Sequence, residues 1–202
     1  MNKLKVILLS TLAAMGYGVL HDQITARICL EYFTVAHPPL FHTDSPTLIA
    51  ICWGVAATAA IGLAWGTVLA LVSQSPGPPP VPFGRLVREI LALLAVMGAA
   101  ATLAGCLGFY SSSHGMISFP AALAGAIPAD RYDGFMAVWF AHMASYLVGF
   151  TGAAVLIYRV WKERGRPMVL ALYPHNRSGI LRAVVIAGVV AAIVWWRFLA
   201  LS

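Results

Sequence analysis

Residues 47–73 read TLIAICWGVAATAAIGLAWGTVLALVS and contain no charged side chain. A helix needs about 20 mostly apolar residues to cross the hydrocarbon core of a bilayer. This stretch exceeds that length, and Ser45 and Pro46 before it are typical of the N-cap and first turn of a helix. The stretch therefore predicts a transmembrane helix.

Other apolar stretches lie on both sides of it. They cover residues 5–34, 89–110, 135–158 and 180–201. The chain is 60% hydrophobic and 10% charged, whereas a soluble domain has about 25% charged residues. We predict an all-α, polytopic transmembrane bundle of about five spans, in a single integral membrane domain that covers residues 1–202.

The first stretch has two interpretations. Its apolar core before His21 is short, and it is long enough for a span only if the helix continues into the polar residues up to about 34. The basic start with Lys3 and Lys5 also resembles a secretory signal peptide. No clear small-residue cleavage site precedes His21, which favours an uncleaved span; if cleavage occurs, four spans remain.

The basic residues predict the orientation in the membrane. With five spans and a cytoplasmic N-terminus, only Arg27, Arg131 and Arg197 of the 13 basic residues fall outside. Cytoplasmic loops carry an excess of Lys and Arg, so we predict a cytoplasmic N-terminus and an extracytoplasmic C-terminus. The proline-rich residues 75–82 then form a stiff cytoplasmic connector. The dispersed positive charge indicates contact with anionic lipid and excludes a nucleic-acid surface.

Small residues recur along one side of the stretch at residues 47–73. Gly54, Thr58, Gly62 and Gly66 are spaced four residues apart, and we call them the small-residue ridge. Such a ridge lets two helices approach closely. We expect it to pack against another helix of the same chain, and a membrane-protein partner is the alternative.

The strongest functional feature is the polar run HDQITARICLEYF at residues 21–33. Arg27 and Glu31 in this run have the i,i+4 spacing of an ion pair if the helix continues through them. His142 lies about two turns inside its span, and ionisable residues at such depth usually face an interior or a cavity. Five of the 6 histidines fall on the predicted outer side, namely His21, His37, His42, His114 and His142.

These residues predict a metal site. Imidazole and carboxylate suit zinc or iron, and a catalytic ion needs about three protein ligands and an open position. We predict His21, Glu31, His114 and His142 as ligands. Glu31 is alternatively a general base, and Arg27 orients Glu31 or holds an anionic group. None of the ligands has a diagnostic local spacing, so the prediction rests on composition alone.

The predicted function is that of an integral membrane protein with a metal-binding His/acid site at the extracytoplasmic membrane edge. Such a site could support hydrolysis or redox chemistry on a lipid-like or envelope substrate. Small size and short loops favour the bacterial inner membrane. Two alternatives stay open. The first is a non-enzymatic scaffold or assembly subunit, and the second is an electron carrier with b-type haem between His21 and His142.

Overall fold

The computed structural model describes residues 3–164, apart from positions 75 and 77. The helices are α1 (Lys3–Ile28), α2 (Glu31–Thr34), α3 (Pro46–Ser73), α4 (Phe83–Ser113) and α5 (Tyr132–Glu163), and a 3-10 turn at Ala129–Arg131 precedes α5. These described residues contain no strand, so the all-α prediction is confirmed. The predicted span at residues 180–201 lies outside the described residues.

Four helices, α1, α3, α4 and α5, are long and apolar enough to cross a membrane. Their outward faces carry large exposed apolar side chains, among them Leu12, Leu63 and Leu103. A soluble monomer rarely exposes apolar surface of this extent, whereas lipid tails cover it readily. The protein is therefore a helical membrane protein.

The spanning helices form two antiparallel pairs, α1 with α3 and α4 with α5. The small-residue ridge of α3 lies against α1. A Cβ atom added to Gly54 would lie 2.5 Å from the backbone nitrogen of Val19, and one added to Gly62 would lie 2.8 Å from the Cβ of Ala14. The expected packing within the chain is confirmed. Because α1 covers the ridge, this surface is not free for another protein.

The two ends of the bundle differ in chemistry. The histidine end comprises residues 21–47 and 110–142, where α1 ends and α3 begins. The connector end comprises residues 3–6, 78–89 and 159–164. There Arg164 donates hydrogen bonds to the carbonyls of Ser73, Pro78 and Pro79, which holds the proline-rich connector against α5.

The first helix differs from its prediction. α1 ends at Ile28, and α2 begins only at Glu31. Arg131 donates to the carbonyl of Ile28 at 3.2 Å, which takes up an oxygen that a continuing helix would bond to the backbone of residue 32. The break turns Glu31 away from Arg27, so the predicted i,i+4 pair does not form.

Candidate metal centre

Three side chains from two helices meet at the histidine end. His21 and Asp22 belong to α1 and His142 to α5, and their ligand atoms all lie within 4.8 Å of one another. Zinc bonds to histidine and carboxylate are about 2.0–2.2 Å long, so donors on one tetrahedral ion lie about 3.4 Å apart. The side chains would have to draw together by up to about 1.4 Å for all three donors to bind one ion. We call these residues the His/Asp cluster.

Close helix contacts bring the cluster together. At the start of α5, a Cβ added to Gly134 would lie 3.3 Å from the Ile28 carbonyl, so α5 passes close to the end of α1. Deeper in the bundle, the hydroxyl of Tyr17 lies 2.8 Å from the Oγ of buried Ser145. These two contacts lie on either side of the cluster and fix the register of α1 against α5.

The hydrogen bonds of His142 define where its lone pair points. A backbone carbonyl can only accept, so Nδ1 of His142 donates to the Val138 carbonyl at 2.9 Å. In the neutral imidazole this leaves Nε2 as an acceptor, and Nε2 lies 3.2 Å from Oδ1 of Asp22. Two acceptors at this distance need a cation between them, either a proton or a metal ion. Both residues are buried, at 5% exposure each, so bulk water does not separate them.

The Nε2 atom of His21 bears on which of these two cations the cluster would hold. It is buried and has no hydrogen-bond partner among the described residues. A buried polar atom left unpaired costs about 1–3 kcal/mol. A proton shared by His142 and Asp22 leaves this cost in place. A metal ion ligated by all three residues, with Nε2 as the ligand atom of His21, would remove it. The bond from His142 to Val138 is the carbonyl contact that orients many metal-binding histidines.

Aromatic rings of α2 pack against the cluster and form an aromatic layer over it. The rings of Tyr32 and His142 lie 4.5 Å apart between centroids, and those of Phe33 and His142 lie 5.6 Å apart. His37 donates from Nδ1 to the Tyr32 carbonyl at 2.6 Å and packs on Trp53. Burial lowers the pKa of His37 to about 4, so this ring is neutral at pH 7.

The structure brings together two of the four ligands predicted from the sequence, His21 and His142. Glu31 lies at the surface of the bundle and pairs with Arg131 at 3.2 Å. Burial alone would raise the pKa of Glu31, but hydrogen bonds from its own backbone and from Cys29, with the charge of Arg131, lower it. His114 is exposed after α4, and its Nδ1 lies 2.9 Å from the Tyr110 carbonyl. Neither residue joins the His/Asp cluster.

Arg27 also lies apart from the cluster. It donates to the side chain of Gln23 at 2.6 Å and to Oγ1 of Thr47 at 2.8 Å, and so ties the end of α1 to the start of α3. The predicted role of Arg27, to orient Glu31, is taken in the structure by Arg131.

Asp22 is the residue that the sequence-based prediction missed. A carboxylate within a spanning helix is rare and usually marks a functional position. The signal was therefore present in the sequence, because the predicted span at residues 5–34 contains Asp22, as α1 does in the structure. The sequence-based prediction instead counted Asp22 among the acids outside the membrane.

Comparisons with protein-family models, with curated proteins and with solved structures found no match for this chain. The function must therefore be inferred from the site itself.

Proposed function

We propose that the protein is an integral membrane metalloprotein in which His21, Asp22 and His142 hold one zinc or iron ion. Two observations carry this proposal: one ligand atom from each of His21, Asp22 and His142 lies within 4.8 Å of the others, and the buried Nε2 of His21 has no hydrogen-bond partner among the described residues. A metal ion accounts for all three side chains at once.

Two histidines and one carboxylate leave part of the coordination sphere open. Zinc in such a site supplies Lewis-acid chemistry for hydrolysis, and ferrous iron supplies redox chemistry. The aromatic layer and the surrounding helices keep the site apolar, so the substrate is lipid-like. The residues around the ion would exclude bulk water and orient this substrate, and Asp22 would offset part of the positive charge of the ion.

The site belongs, in this proposal, to the extracytoplasmic edge of the bacterial inner membrane. Described basic residues gather at the connector end: Lys3, Lys5, Arg85, Arg88, Arg159, Lys162 and Arg164. Only Arg27 and Arg131 among the described basic residues lie at the histidine end. The positive-inside rule therefore favours a cytoplasmic connector end and an outward histidine end.

The structure gives less support to the two alternatives. A scaffold that recruits a partner through the small-residue ridge would need that ridge exposed, whereas α1 covers it. The ring centroids of His21 and His142 lie 4.6 Å apart in an edge-on contact. That contact leaves no gap for a porphyrin plane between the two histidines.

Metal content of the purified protein tests the proposal. We expect about one equivalent of zinc or iron in wild-type protein, and loss of most of it in Asp22→Asn, which keeps the size of the side chain and removes its charge. His142→Ala should also lose the ion. Glu31→Gln and His114→Ala are the matched controls, because they remove the two sequence-predicted ligands that lie outside the cluster.

Two results would contradict the proposal. The first is folded wild-type protein that takes up neither zinc nor iron. The second is loss of metal from Glu31→Gln and His114→Ala together with retention in Asp22→Asn, which would favour the ligand set predicted from the sequence.

A further inference from the structure

A narrow apolar cavity leads from the His/Asp cluster into the membrane-embedded part of the bundle. It lies between the two helix pairs, and all four spanning helices contribute to its wall. Most of the lining side chains are small or aliphatic, among them Ala13, Ala57, Ile61, Leu93 and Ala153. His21, Asp22 and His142 line its outer end, so the only carboxylate and imidazoles of its lining lie at one end.

The dimensions of the cavity fit one chain better than a ring system. Ser10 and Asp22 both line it, and α1 rises about 18 Å between them. This length is close to the depth of one lipid leaflet, about half of a ~30 Å hydrocarbon core. The volume is about 150 Å³ and the cavity is partly open, so a single chain longer than the enclosed space can extend beyond it. A sterol or a two-chain lipid is wider than a single chain and would have to separate the helices.

The net charge of the metal site determines which lipid head group it would bind. A divalent ion with one carboxylate and two neutral imidazoles keeps a net charge of +1. In a low-dielectric surrounding such a charge is strongly unfavourable unless an anion balances it. A single carboxylate ligand would neutralise the site and fill an open coordination position, since carboxylate oxygen is a good ligand for zinc and iron.

We propose that the cavity binds a fatty carboxylate, with its carboxylate on the ion of the His/Asp cluster and its single unbranched chain between the two helix pairs. This inference rests on the proposed metal site and names the class of its substrate. The hydrocarbon chain gains little in moving from lipid into an equally apolar cavity, so the carboxylate–metal contact determines selectivity.

Cobalt(II) provides a test in which metal binding and fatty-acid binding are seen separately. Protein in zwitterionic nanodiscs is loaded with Co²⁺, and its visible absorption bands are recorded before and after addition of dodecanoate. We expect the Co²⁺ bands to appear on loading and to shift on addition of dodecanoate. Dodecylamine, which has the same chain and no anion, should leave the bands unchanged.

A cavity variant tests where the chain lies. Gly149 lines the cavity about 10 Å along α5 from His142, and a Cβ there would face only the flexible end of Met97, at 3.0 Å. Gly149→Leu should keep the Co²⁺ bands, require roughly tenfold more dodecanoate for the same shift, and respond to hexanoate like wild type. Gly98→Leu is the matched control, because no atom lies within 4 Å of the corresponding Cβ.

The outcomes separate the two proposals. Folded protein that gives no Co²⁺ bands overturns the metal site and this inference with it. Co²⁺ bands that dodecanoate does not shift overturn the fatty carboxylate alone. A larger response to dodecyl phosphate than to dodecanoate overturns the carboxylate assignment, and an equal loss in Gly149→Leu and Gly98→Leu overturns the placement of the chain.

Discussion

Burial determines the charge of single residues at the histidine end. Cys29 is fully buried and donates from Sγ to Oε2 of Glu31 at 3.2 Å. Burial raises the pKa of this thiol to about 11, so it stays protonated and unreactive at neutral pH. His37, in the loop after α2, is held neutral in the same way, because its pKa is lowered to about 4.

The lowered pKa of His37 predicts a dependence of stability on pH. An unfolded histidine binds a proton near pH 6.5, whereas folded His37 binds one only near pH 4. The unfolded state therefore binds more protons between these values, and stability falls as the pH falls through this window. We expect His37 to account for roughly 3 kcal/mol of this loss.

Unfolding in detergent at pH 7.5 and at pH 4 measures the effect. His37→Gln should lose much less stability than wild type between these two conditions. His42→Gln, at an exposed position of the same loop, should behave like wild type. Equal losses in wild type and His37→Gln would show that His37 is not the group that titrates.

At the scale of helices, the contact of α1 with α3 supports the site. A Cβ added to Gly18 would lie 2.5 Å from the backbone oxygen of Gly54, which cannot move away without shifting α3. Gly18 is one turn from His21 and Asp22 on the same helix. Close packing of this pair therefore decides both the stability of the bundle and the position of two of the proposed ligands.

Two glycines in one helix give a direct comparison. Gly18→Ala should lower the free energy of unfolding by about 1–3 kcal/mol and reduce metal content, because α1 must move away from α3. Gly16→Ala, which meets no atom within 4 Å, should be neutral or stabilising by about 0.5–1 kcal/mol. Unfolding in detergent and metal analysis measure both. Similar behaviour of the two variants would contradict the close packing at Gly18.

At the scale of the whole molecule, the charged residues are distributed unevenly between the two ends. The connector end carries an ion-pair network in which Arg85 contacts Glu163 at 2.6 Å and Arg159 contacts Glu89 at 3.4 Å. The histidine end carries Asp44, Asp130 and Asp133, and Ser112 donates to Asp133 at 2.6 Å. In a membrane this asymmetry favours one orientation over the other.

The predicted orientation can be measured by thiol labelling of bacterial spheroplasts, which lack the outer membrane and keep a closed inner membrane. In a chain with Cys29, Cys52 and Cys106 replaced by alanine, Asp44→Cys should react with a membrane-impermeant thiol reagent. Pro80→Cys, in the connector, should react only after the membrane is opened. Both positions are exposed. The reverse pattern would place the connector outside and the His/Asp cluster at the cytoplasmic edge.

The spanning helices, the all-α class and the polar character of one end could be predicted from the sequence. Each depends on local composition: a bilayer admits a backbone only if its hydrogen bonds are satisfied within the segment, so long apolar stretches must be helical. The small-residue ridge could be recognised for the same reason, since its four-residue spacing places Gly54 and Gly62 on one face of α3.

The composition of the cluster was decided only by the tertiary structure. Whether His21 meets Asp22 and His142 or instead Glu31 and His114 depends on the rotation and depth of α1 relative to α5, which no local pattern encodes. The break after Ile28 is an example, because it involves Arg131, which is about 100 residues away in the chain. Bilayer and backbone physics determine helices residue by residue, whereas a metal site requires side chains from separate helices to lie within a few ångströms of one point.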